Sequence, residues 1–146
     1  MLMPDVNVLV YAHRTDEACH LPYRLWVERM VEGPQPFALS ALVAVGFLRI
    51  VTNARIYRSP TPLPLALATL DMLVSRPTCL VLGPGSSHLH LVGALCRASG
   101  AAGKAVADAQ HAAVAVEHGC TFVTRDRDFA AFAPFGLNWQ HLLLDA

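Results

Sequence analysis

The chain has 146 residues, 54% apolar and 15% charged, with eleven basic and eleven acidic side chains and a formal net charge of zero. That length and composition predict one compact domain over 1–146 with a core needing no staple, and exclude a disordered chain. The charge balance excludes a broad electrostatic wrap around nucleic acid, but ten of the eleven basic residues are arginine, which suits local, bidentate phosphate contacts.

The first element is expected at Asp5–Tyr11. Val6, Val8, Leu9 and Val10 form a short, largely β-branched apolar run, the composition of a strand buried on both faces. Asp5 and Asn7 sit at its start, where an acid is unfavourable unless it meets solvent, a hydrogen-bond network or a cation. Cys19–Val31 then reads as a helix, with Leu21, Leu25, Trp26, Val27 and Met30 near the 3.6 period and Gly33-Pro34 as its stop. Phe37 and Ala38 suit a brief extended piece, and Ser40 caps a helix over Ala41–Val51. Gly46 inside that helix is unfavourable by propensity and implies close packing. Residues 54–60 read as a loop exposing Arg55 and Arg58.

A third helix is expected over Leu63–Ser75 and a strand over Thr78–Leu82, followed by the Gly83-Pro84-Gly85 turn. Ser86 or Ser87 caps a helix over His88–Ser99. Lys104–His118 is an alanine-rich helix closed by Gly119, with Asp108 in its first turns. Cys120–Thr124 reads as a strand running into the charged segment Arg125–Phe129, and Trp139–Leu144 as a last strand. Strands alternating with helices predict a mainly parallel α/β sheet covered on both faces, with chemistry beyond the strands' carboxyl ends. Asp126 and Asp128 lie at such an end, whereas Asp5 begins its expected strand. Cys19, Cys79, Cys96 and Cys120 show no metal-ligand spacing and read as free thiols. The N-terminus lacks the plan of a signal peptide and no run suits a membrane span, so the expected location is the cytoplasm.

Four of the seven aspartates, Asp5, Asp108, Asp126 and Asp128, fall where elements begin or end. Carboxylates meeting in one cleft repel unless a cation joins them, and oxygen ligands suit Mg²⁺ or Mn²⁺. Such a site can activate water and stabilise charge on a phosphoryl group. Spacing alone leaves a helix-end charge for Asp108 and a solvated turn for Asp126 and Asp128 as alternatives.

Asp5-Val6-Asn7-Val8-Leu9-Val10-Tyr11 resembles the opening of PIN-domain proteins. Asp108-Ala109-Gln110-His111-Ala112 resembles their central acidic motif, and Thr124-Arg125-Asp126-Arg127-Asp128-Phe129 their TxDxDF ending. Gly46-Phe47-Leu48-Arg49-Ile50-Val51-Thr52 resembles a segment of the VapC-type ribonucleases. The motifs cover nearly the whole chain in order. The resemblance implies a three-layer α/β/α sandwich and a Mg²⁺-dependent endoribonuclease, with Mn²⁺ as the other cation, acting as toxin of a toxin–antitoxin pair. It implies metal ligation by Asp5, Asp108 and Asp126, with Asp128 a further catalytic acid and Asn7 and Thr124 in support. Arg49, Arg55, Arg58, Arg125 and Arg127 become candidates for guiding RNA, and Tyr11 and His13 for its groove edge. The implied partners are RNA, a small antitoxin that masks the groove, and a second toxin protomer. The family often carries a glutamate on the second helix; here the matching position is Gly46.

Three other readings compete. A haloacid-dehalogenase-like phosphatase wants an acid where Asn7 stands and a later lysine, for which Lys104 is poorly placed. A transition-metal hydrolase would use His88, His90, Asp108 and His111, but His88 and His90 do not share a helical face. A catalytically weak PIN-like module binding RNA or protein is favoured by Gly46 and disfavoured by the four retained aspartates.

Overall fold

The computed structural model describes residues 1–145. Its strands are β1 (Leu2–Pro4), β2 (Phe37–Ser40), β3 (Cys79–Leu82), β4 (Thr121–Thr124) and β5 (Trp139–His141). Its α-helices are α1 (Val6–His13), α2 (His20–Glu32), α3 (Ala41–Val51), α4 (Leu63–Val74), α5 (His88–Ser99) and α6 (Lys104–Glu117). A stretch of 3₁₀ turns over Arg127–Phe135 joins β4 to β5.

The stretch 5–11 corrects the expectation: it is helical. β1 ends at Pro4, and Asp5 is the N-cap of α1, with its carboxylate accepting from the Val6 N–H at 2.6 Å. The Leu9 N–H reaches the Asp5 carbonyl at 3.3 Å, closing the first helical turn. The sequence misleads here for a physical reason. Val8 packs into one apolar cluster while Leu9 and Val10 pack into another, so this short helix is buried on opposite sides. A segment buried all round shows no helical period, and its valines then read as strand formers. The consequence is functional, because Asp5 now stands at the carboxyl end of β1.

All five strands are parallel, in the order β3-β2-β1-β4-β5. Successive strands step outward from β1 through β2 to β3; β4 then returns to the other side of β1. The direction of winding therefore reverses between β1 and β4, where Met3 lies opposite Phe122 and Pro4 opposite Val123. Alternation along β4 shows that both sheet faces are covered: Phe122 enters the larger cluster and Val123 the smaller one. Helices α3, α4, α5 and α6 supply the larger cluster, α1 contributes to both, and Tyr23 of α2 anchors the smaller.

Ser40 caps α3 as expected, its hydroxyl accepting from the Val43 N–H. The cap of α5 differs from expectation. No serine side chain caps it; the Glu117 carboxylate accepts from the Gly85 and Ser87 N–H groups instead, at 2.9 and 3.2 Å. β5 ends at His141, short of the expected Leu144. Gly46 is a packing glycine. A Cβ there would meet Val6 Cγ2 at 2.8 Å, so its absence lets α3 lie against the start of α1.

Candidate active site at the β1/β4 switch point

In an open parallel sheet the point where winding reverses leaves a crevice at the strands' carboxyl ends. β1 delivers Asp5 there, and β4 delivers Thr124, Asp126 and Asp128. Asp5 is 5% exposed and Thr124 fully buried. The Thr124 hydroxyl donates to Asp5 Oδ2 at 2.6 Å and accepts from the Asp126 N–H at 2.9 Å and Asn7 Nδ2 at 3.3 Å. Its one donor and two lone pairs are all used. Asn7 Nδ2 also reaches Asp5 Oδ2 at 3.3 Å, while Asn7 Oδ1 accepts from the Arg125 N–H at 3.2 Å. Asp126 caps the following 3₁₀ turn by accepting from the Asp128 N–H at 2.9 Å. Residues from opposite ends of the sequence thus hold the Asp5 carboxylate and the backbone at Arg125 in place.

Asp108 comes from α6, half-buried. Burial raises its carboxyl pKa; the charges of Asp126 and Asp5 raise it further, and those of Lys104 and His111 oppose this. Burial likewise pushes the Asp5 carboxyl up to about 6, with Asp126 adding to the rise and the Thr124 and Val6 hydrogen bonds resisting it. Asp5, Asp108 and Asp126 therefore share one electrostatic field. Asp108 and Asp128 both line a cleft of about 700 Å³, with Ser99, Lys104, Arg127 and Phe132.

Among the described residues, no three His, Cys, Asp or Glu side chains close into a ready-made metal cluster. The donor set nevertheless fits one kind of ion. Mutually repelling carboxylates, one of them buried, offer hard oxygens, and Mg²⁺ or Mn²⁺ binds through one or two such groups while keeping several waters. The histidines do not extend this set. His111 stacks on Phe122 with its Nδ1 buried and unpartnered, and His88 Nδ1 is unpartnered too.

The arginines divide. Arg127 is exposed and lines the cleft. The Arg125 guanidinium turns away: it donates to the Tyr23 hydroxyl and the Leu144 carbonyl, pairs with Asp145 at 3.8 Å, and lies over the rings of Tyr11 and Tyr23. It fastens the C-terminal segment to α2, a role the sequence did not show. Arg49, Arg55 and Arg58 are exposed but do not line the cleft. Tyr11 packs on Tyr23, and His13 bonds Thr61 and meets the edge of Phe47, so neither borders the acids. Lys104 was not anticipated beside the acids. Its spacing of four from Asp108 on one helix was the available signal.

The sequence model of the family described as "PIN domain" matches residues 2–133. The chain is 42% identical over 133 residues to Ribonuclease VapC25 of Mycobacterium tuberculosis, spanning 91% of this chain and 94% of that protein. It is 41% identical over 143 residues to Ribonuclease VapC43 of the same species, spanning 98% and 96%. Among solved structures, VapBC2 from Rickettsia felis bound to a promoter DNA fragment superposes with a TM-score of 0.67 at 19% identity, over 95% of this chain and 96% of that one. VapC20 of Mycobacterium tuberculosis, a sarcin-ricin-loop-cleaving toxin, gives 0.64 at 15% identity over 94% and 98%. These likenesses carry the fold, with its parallel sheet between helical layers; the sequence matches carry the kinship. The chain belongs to the PIN-domain family, in its VapC branch.

Proposed function

We propose that this protein is a divalent-metal-dependent endoribonuclease, the toxin of a toxin–antitoxin pair. The observation that carries the reading is the Asp5–Thr124–Asp126 network at the β1/β4 switch point, with Asp108 in the same field. The relatives named ribonucleases, VapC25 and VapC43, support RNA as substrate.

Asp5, Asp108 and Asp126 would hold Mg²⁺ or Mn²⁺, which when bound supplies Lewis acidity toward a phosphodiester. The chain's own residues do the remaining work. Thr124 and Asn7 fix the rotamer of Asp5, so that one lone-pair direction stays open to the crevice. The Thr124 hydroxyl, by accepting from the Asp126 backbone, sets the distance between the two strand-end acids. Asp128, exposed on the cleft, orients the attacking water and takes its proton as the water oxygen bonds to phosphorus. The bond from phosphorus to the 3′ oxygen breaks, that oxygen takes a proton from solvent, and a 5′ phosphate remains. Arg127 faces the RNA backbone.

Among the solved structures that share the fold is one of a toxin–antitoxin complex, and a small antitoxin is the partner proposed here, with a second protomer. The outward face of α4 supports a protein partner, since Leu63, Leu65, Leu67, Met72 and Val74 are all exposed. No helix among the described residues is long and apolar enough to cross a membrane.

One observation favours a second reading, a catalytically weak binding module: α3 carries no acid anywhere along its length. Incubating defined single-stranded RNA with the purified protein, with Mg²⁺, with Mn²⁺ and with EDTA, decides between them. Cation-dependent cleavage that disappears in Asp5→Asn is the expected result. Binding without cleavage in either cation supports the module, and equal cleavage by wild type and Asp5→Asn would falsify the metal-nuclease reading.

A further inference from the structure

The cleft beside the acids holds two cations that no ion pair or hydrogen bond engages among the described residues. Lys104, at the first position of α6, and Arg127, at the start of the 3₁₀ stretch, both line it. Both are exposed, and among the described residues neither makes an ion pair or a side-chain hydrogen bond. The contrast with Arg14 and Arg125 is sharp. Arg14 is bound to Asp16, the Ser59 carbonyl and Thr61, and Arg125 to Tyr23 and the C-terminal segment. Lys104 and Asp108 stand four residues apart on α6, one helical turn, and line the same cleft. Asp108 and Asp128 line the same cleft, so one concavity presents acids together with two free cations.

We propose that Lys104 and Arg127 form a phosphate-holding subsite that seats the RNA phosphodiester next to the one being cut. The proposal rests on the ribonuclease reading and deepens it. The acids and any cation they hold engage one phosphate. The ammonium and guanidinium neutralise its neighbour in the cleft, which fixes the register of the strand over Asp108. Lys104 supplies a point charge on a flexible stem, and Arg127 a planar fork. Lys104 is thus a positioning residue that acts on substrate alignment and not on the reacting atoms.

Lys104 is the only lysine in the chain, which makes the test clean. Three measurements apply. Steady-state cleavage of a fluorescent single-stranded oligoribonucleotide by Lys104→Ala should show its loss in kcat/KM on KM, which rises roughly fivefold, with recovery in Lys104→Arg. Binding of the same RNA, measured by anisotropy on the Asp5→Asn background, should lose about 0.7 from its salt-dependence slope when Lys104 is removed, the share of one single-strand phosphate contact. Acylation of Lys104 by an amine-reactive ester, followed by mass spectrometry, should slow when the oligoribonucleotide is present. A Lys104→Ala protein that melts like wild type and keeps its KM and salt slope overturns the subsite while leaving the ribonuclease reading intact. A loss confined to kcat overturns it as well. A wild-type protein that neither binds nor cleaves RNA overturns both readings together.

Discussion

Asp5 is the residue on which most depends, and its environment sets a pH signature. Its carboxyl is raised from the ordinary carboxylate range to about 6 by burial, so the folded chain holds that proton more tightly than the unfolded chain. The contribution to stability is fully present below about pH 4 and is lost as pH rises through 6. A rise of two units corresponds to roughly 3 kcal/mol at most. Urea titrations of the metal-free protein between pH 4 and 7.5 should show that decline, and Asp5→Asn should flatten it; a wild-type profile that is already flat sinks the assignment. Thr124→Val removes a hydroxyl serving three partners and should destabilise the protein by about 1–3 kcal/mol. It should also move the Asp5 titration upward, because the hydrogen bond that resists the rise is gone. As candidates the acids were legible in the sequence through the resemblance of their motifs, since Asp5 beside an apolar run was by itself only an anomaly. The role of Arg125 was not legible, because nothing local distinguishes an arginine facing RNA from one folded onto the Leu144 carbonyl and onto Tyr23, about a hundred residues away. Arg125→Ala should therefore lower the melting temperature, by the equivalent of about 1–3 kcal/mol. Arg127→Ala should leave melting in place and weaken RNA binding.

At the scale of elements, most helices announced themselves through period and caps: Ser40 before α3, the alanine-rich α6, the Gly33-Pro34 stop after α2. The 5–11 stretch did not, because a two-sided burial erases the period that separates helix from strand. The α1/α3 contact is likewise a tertiary fact. Gly46 faces Val6, and a Cβ at that position would come within 2.8 Å of Val6 Cγ2. An acid there is therefore more than a missing ligand, since it would also have to push two helices apart. Gly46→Glu should destabilise the protein by about 1–3 kcal/mol through overpacking. Adding Val6→Ala should recover part of that, as a double-mutant cycle followed by chemical denaturation would show. If Gly46→Glu alone is neutral in stability, the packing account of the glycine is wrong. The same cycle assayed for RNA cleavage asks whether a carboxylate on α3 strengthens the site once room is made for it.

For the whole molecule, alternating strands and helices specify a parallel α/β sheet, but not the order in which the strands lie side by side. That order, β3-β2-β1-β4-β5, is what brings Asp5 at the end of β1 beside Thr124 and Asp126 at the end of β4. If carboxylate repulsion is relieved by a bound divalent ion, adding Mg²⁺ or Mn²⁺ at pH 7.5 should raise the melting temperature of wild type and not of Asp5→Asn, and EDTA should reverse it. A rise of equal size in both proteins would place the ion elsewhere. The pairing of β1 with β4 has a consequence for how such a molecule comes into being. The Thr124 hydroxyl that holds Asp5 lies 119 residues further along the chain. The centre strand of the sheet stays without one of its two neighbours until β4 has been made. The strand-end acids are therefore held together only once β4 folds against β1.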